Sequence, residues 1–162
     1  MDKLEYLDII NDIIKDENYQ RLKEEIHHNN TNRYDHNLDV SYNTFKICKK
    51  MHLDYKSATK AALLHDFYFN DDFKNQLQKI LKHPKISIEN ASNITNLSKK
   101  EENIIHSHMY PVGGKAPRYI ESIIVDIVDD GISIKERLGG DYRSLKTAVN
   151  FLFIIFTSYL MR

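Results

Sequence analysis

The run from Ala58 to Leu64 closes on the pair His65-Asp66, and this junction constrains the chain more than any other segment. Ala58, Ala61, Ala62, Leu63 and Leu64 carry the apolar spacing of a packed helix. An imidazole and a carboxylate therefore stand side by side where a buried helix ends. A buried carboxylate is costly without a partner or a metal. Other long segments repeat the helical periodicity. Five Gly and three Pro are few for 162 residues, and no series of short alternating strands appears, so the predicted class is all-α.

The helices can be placed from their spacing and punctuation. Leu4, Leu7, Ile10, Ile13 and Ile14 predict a first helix after Asp2, and Asn18 to His28 reads as a second. Leu38, Tyr42, Phe45 and Ile47 predict a helix from about Asp35 to Met51, and Asp54 suits the cap of the helix that runs to His65. Phe73, Leu77, Ile80 and Leu81 form an amphipathic stretch that His83-Pro84 is expected to end, because a residue before proline is pushed out of helical geometry. Ser98-Lys99-Lys100-Glu101 reads as a capping box ahead of Ile104 and Ile105. Tyr110 to Ala116 reads as a loop, and Pro117 as the first turn of a helix running to Asp129. Gly139-Gly140 is expected to break the chain before a last helix.

The length suits one domain spanning 1–162, with no internal repeat or low-complexity tract. The 23 basic and 23 acidic residues cancel, which argues against nucleic acid or an anionic membrane as partner. The single Cys48 excludes an internal disulfide and reads as a buried helix position. The start is too acidic and polar for a secretory signal, so a cytoplasmic location is the expectation. Ala148 to Met161 is strongly apolar but shorter than the roughly 20 residues that a membrane span needs. It reads as a helix buried in the core or in a homodimer contact, with membrane association as the weaker alternative.

Further ligand types flank the His65-Asp66 pair. His36 lies upstream, separated by about two helices and a turn, so an antiparallel helix pair can bring it back beside His65. Downstream, the apolar run from Ile123 carries Asp126 and Asp129, which share a helix face; periodicity does not choose between them. Mixed imidazole and carboxylate ligation suits a borderline or hard divalent ion: Mn²⁺, Fe²⁺, Zn²⁺ or Mg²⁺.

Five segments recur in order: Arg33-Tyr34-Asp35-His36, Ala62-Leu63-Leu64-His65-Asp66, His83-Pro84, His108-Met109-Tyr110-Pro111 and Val128-Asp129. Together they resemble the HD superfamily of metal-dependent phosphohydrolases, in particular small bacterial HD-domain hydrolases, from Arg33 to about Asp130. The resemblance implies a helical bundle with its core at about 31–135 and an added C-terminal helix at about 141–162. It implies metal ligation by His36, His65, Asp66 and Asp129, favouring Asp129 over Asp126. His83 and His108 stand where branches with two metals place further ligands, so one or two ions per chain are expected, with Asp66 between them. Two departures stand out: no Gly-Tyr-Pro follows His108, and Phe67-Tyr68-Phe69-Asn70 lacks the Gly-Lys of the HD-Ile-Gly-Lys variants.

The implied activity is hydrolysis of a small phosphate ester or nucleotide. Asp66 is the candidate to orient or deprotonate the attacking water. Arg33, Lys115 and Arg118 are the cations expected to hold phosphate. His106 is left as a supporting or substrate residue, while His27, His28 and His52 lack motif support and read as surface residues. The alternatives are a catalytically silent metal-binding sensor and a mixed-valent di-iron oxygenase.

Overall fold

The computed structural model describes residues 2–28 and 31–137. The expected last helix, the Gly139-Gly140 break and the apolar Ala148–Met161 segment lie outside the described residues, as does the side chain of His28. Among the described residues the architecture is all-α with one small two-stranded ribbon. The helices are α1 (Asp2–Lys15), α2 (Glu17–Gln20), α3 (Arg33–Lys50), α4 (Tyr55–Leu64), α5 (Gln76–Ile94), α6 (Lys99–Ser107) and α7 (Ile120–Arg137). None is long and apolar enough to cross a membrane.

α4 is the centre of the bundle. Ala58, Thr59, Ala61, Ala62, Leu63 and Leu64 are all buried, as expected of a helix that is apolar nearly all round. Asp54 caps it by accepting from the Ser57 N–H at 3.2 Å. α3 packs along it, and the Ser41 hydroxyl donates to the Thr59 carbonyl at 2.9 Å. At the far end, the Tyr19 hydroxyl donates to the Leu63 carbonyl at 2.7 Å, satisfying one of the carbonyls that a helix C-terminus leaves open. Cys48 is fully buried on α3, and burial pushes its thiol up to about 12, out of the reactive range.

Three sequence expectations are corrected here. The predicted helix from Asn18 to His28 stops early. Asp16 caps only the short α2, a 3-10 turn follows over Arg21–Glu24, and Ile26–His28 pairs antiparallel with Thr31–Asn32. The chain extends because Glu25 is anchored twice to the start of α3: its carbonyl accepts the Arg33 N–H at 2.8 Å and its carboxylate meets the Arg33 guanidinium at 3.2 Å. Asn32 then caps α3 through the Asp35 N–H at 2.8 Å.

The second correction concerns Pro84, which lies inside α5 rather than at its end. His83, Pro84, Ser87 and Ala91 are buried at helical spacing, and this stripe outweighs the roughly 3 kcal/mol that an interior proline costs. Pro84 deprives the Ile80 carbonyl of its intrahelical donor. That carbonyl is covered by Gly113, whose backbone comes so close that an added Cβ would stand 2.3 Å from the Ile80 oxygen.

The third is that α7 starts at Ile120, three residues after Pro117. The Arg118 N–H donates to Asn103 Oδ1 at 2.9 Å, holding this non-helical stretch against α6. The Ser98–Glu101 capping box forms as read, with both reciprocal bonds present.

Candidate metal centre

Five elements deliver the imidazoles and carboxylates to one place. α3 presents His36 from its first turn, and His65 is the C-cap of α4, with Asp66 next to it. α5 contributes His83 from beside Pro84, His108 caps α6, and Asp129 comes from α7. All of these except the partly exposed Asp129 are buried. They form two triads whose ligand atoms all lie within 4.8 Å of one another: His36, His65 and Asp129, and Asp66, His83 and His108.

Each histidine is held by Nδ1, leaving Nε2 for the centre. The Nδ1–H groups of His65, His83 and His108 donate to the carbonyls of Ala62, Lys79 and Ile105 at 2.8, 2.8 and 2.7 Å. These carbonyls lie three or four residues earlier on the same helices, so the helical backbone itself sets the tautomer. His36 is held by a carboxylate, with Nδ1 at 3.2 Å from Glu136. On the inner side, His36 Nε2 is 3.0 Å and His65 Nε2 is 3.5 Å from Asp129 Oδ1. Asp66 Oδ1 is 3.5 Å from His83 Nε2 and 3.4 Å from His108 Nε2.

This donor set fits a divalent cation. His65 Nε2 and Asp66 Oδ1 are buried without a hydrogen-bond partner, an arrangement that is expensive unless something else meets them. His83 Nε2 and His108 Nε2 face each other at 2.9 Å. With both Nδ1 atoms donating, two lone pairs are opposed. A cation held between these two nitrogens would relieve that opposition.

The electrostatics agree. Burial alone would raise the Asp66 and Asp129 carboxyls, but the charges and hydrogen bonds of the surrounding histidines hold both well below the usual range. Burial lowers His36, yet its bonds to Asp129 and Glu136 raise it to about 10. Burial and the neighbouring His108 push His83 down to about 4 against the pull of Asp66. A divalent ion held by these groups would supply the positive charge that the histidines otherwise provide.

The centre opens onto a cleft of about 300 Å³. Tyr68, Lys79, Met109, Ile134 and Arg137 are among its walls. Lys79 and Arg137 are its cations, and neither was singled out in the sequence. Lys79 lies one turn before His83, so its position on that face was readable once His83 was taken as a ligand. Glu136 was also overlooked, although it lies two turns after Asp129 on the same face of α7. His27 carries no such signal. It was read as a surface residue, but the ribbon stacks its ring on His36, with centroids 4.1 Å apart, and it forms a third ligand group with His36 and Asp66. His52 is exposed, as expected.

The three expected phosphate cations are not in this cleft. Arg33 is fully buried: its guanidinium donates to the Tyr68 carbonyl at 2.7 Å and to Asn70 Oδ1 at 3.3 Å, and lies 3.9 Å over the Tyr68 ring. It organises the segment after Asp66 instead of facing a substrate. Lys115 and Arg118 line a different cleft, together with His106, because the chain after His108 folds back along α6. Asp126 is absent from both triads and from the lining of the metal cleft. Burial and the neighbouring Asp130 raise its carboxyl to about 7.

The family comparison agrees with this geometry. The model of the HD domain matches residues 33–130, the span that contains His36, His65, Asp66, His83, His108 and Asp129. No curated protein and no solved structure matches the chain. With its paired triads and a family match over more than half its length, the chain belongs to the HD domain family.

Proposed function

We propose that this protein is a metal-dependent phosphohydrolase that cleaves a small phosphate ester or nucleotide. The observation that carries the reading is the meeting of two His/Asp triads at the base of a cleft whose cations are Lys79 and Arg137. His36, His65 and Asp129 would hold one divalent ion, and Asp66, His83 and His108 a second. Mn²⁺, Fe²⁺, Zn²⁺ and Mg²⁺ all suit such ligands. When bound, the ion lowers the pKa of water from 15.7 to about 7 in the best case and polarises the phosphoryl oxygen.

The chain's own residues supply the rest. Asp66 belongs to one triad and follows His65 of the other, and its carboxylate would orient the attacking water and take its proton. Lys79 and Arg137 meet the negative charge of the phosphate, Arg137 through a fork of N–H donors that matches phosphate oxygens. Glu136 keeps the His36 ring turned toward the centre. Tyr68, Met109 and Ile134 form the apolar part of the walls, suited to the non-phosphate portion of the substrate.

The test is metal content per chain, measured together with hydrolysis of p-nitrophenyl phosphate and a panel of nucleotides in Mn²⁺. Wild type is expected to bind metal and turn over at least one substrate, and Asp66→Asn to lose that turnover. Metal binding without turnover of any phosphate compound would overturn the hydrolase reading and leave a metal-binding protein. A redox-active iron pair would turn the reading toward oxidation.

A further inference from the structure

A second cleft of about 380 Å³ lies along α6 and shares no residue with the lining of the metal cleft. Lys99, Lys115, Arg118, His106, Asn103 and the single carboxylate Glu102 line it. Among the described residues, none of the three cations makes an ion pair. This contrasts with the lysines nearby. Lys100 meets both Asp54 and Glu121 at 3.2 Å, and Lys60 meets Glu101 at 3.6 Å. On a chain of zero net charge, three unpaired cations around one concavity form a local positive field.

The rim is built into the fold. Asn103 Oδ1 accepts from the Arg118 N–H at 2.9 Å and from the Ser122 hydroxyl at 3.1 Å, and its amide donates to the Ala116 carbonyl at 3.3 Å. The Lys115 N–H donates to the His106 carbonyl at 3.2 Å, and Gly114 packs against that same carbonyl. The backbone that carries Lys115 and Arg118 is thus clamped onto α6 from both sides. His106 lines the same cleft, so an imidazole stands among the three cations.

We infer that this cleft is a second anion site, which binds the phosphate group of a small molecule independently of the metal centre. Lys99, Lys115 and Arg118 supply the charge around the cleft that His106 also lines, a combination suited to a multiply charged anion. The inference does not rest on the hydrolase reading.

The test is a titration of the full-length, metal-loaded protein with inorganic phosphate, pyrophosphate and adenosine 5′-diphosphate, followed by calorimetry and by the histidine-ring NMR signals. Wild type and Asp66→Asn are both expected to bind pyrophosphate with movement of the His106 ring signals. Lys115→Ala/Arg118→Ala is expected to weaken that binding by about tenfold or more, as loss of charged hydrogen bonds does. Lys99→Ala, on a different element, serves as the second variant should the double variant fold poorly. Tighter binding of the nucleotide than of pyrophosphate would identify a nucleotide-borne phosphate, and equal binding a free one. No binding at millimolar anion would overturn the inference. So would binding that survives Lys115→Ala/Arg118→Ala but disappears in Asp66→Asn, since that anion sits at the metal centre.

Discussion

Glu136 accepts the Nδ1–H of His36 at 3.2 Å, so a carboxylate near the end of the described chain orients an imidazole at the start of α3. The other three histidines of the centre use backbone carbonyls for the same purpose. His36 alone depends on a side chain that a point mutation can remove. Glu136→Gln is expected to weaken metal binding by about tenfold to a hundredfold, the usual cost of losing such an outer partner. Competition against a chelator measures it, and unchanged affinity would show that His36 needs no such support.

Lys79 lines the metal cleft, with its ammonium 3.0 Å from Asn70 Oδ1. Lys79→Ala is expected to raise KM for a phosphate ester by about tenfold, and Lys79→Arg to retain most of the binding, since the charge persists. Steady-state kinetics against p-nitrophenyl phosphate decides it. A KM that stays at the wild-type value would remove Lys79 from substrate binding.

Gly113 closes over the carbonyl that Pro84 leaves without a helical donor. In Gly113→Ala the new methyl would stand 2.3 Å from the Ile80 oxygen and 3.2 Å from the Leu81 Cα, both backbone atoms of a helix. The expected destabilisation is about 1–3 kcal/mol, as for other overpacked sites. Urea denaturation gives the value, and an unchanged midpoint would mean that the loop moves away freely.

Asp126 makes stability depend on pH. Burial and Asp130 raise its carboxyl from the ordinary 3.8 to about 7. Between those values the folded chain holds a proton that the unfolded chain has released, so this group's contribution falls as pH rises from about 4 to about 7. Asp126→Asn, which stays neutral throughout, is expected to flatten that part of the profile. Denaturation midpoints of the chelator-treated protein from acid to neutral pH test it, and identical slopes in the two proteins would refute it.

What the sequence determined on its own was a set of features that depend on neighbours along the chain. The apolar spacing of Ala58 to Leu64 made α4 a buried helix, Ser98 and Glu101 formed their capping box, and Asp54 capped as read, because these signals act within one or two turns. The ordered segments around His36, His65-Asp66, His83, His108 and Asp129 marked the residues that the fold brings together, since helices of this length leave few ways to pack. Tertiary structure decided the rest. Pro84 reads locally as a stop, yet a buried face two turns longer carries α5 through it. Arg33 reads as a phosphate ligand, yet Tyr68, Asn70 and Glu25 enclose it. Lys115 and Arg118 follow His108 closely in the chain, yet the clamp on Asn103 turns them to another cleft, while His27 reaches the metal centre from the ribbon with no local signal. Short-range spacing sets which way a side chain leaves its own helix; which cleft it reaches depends on how helices distant in sequence pack, and one sequence does not carry that information locally.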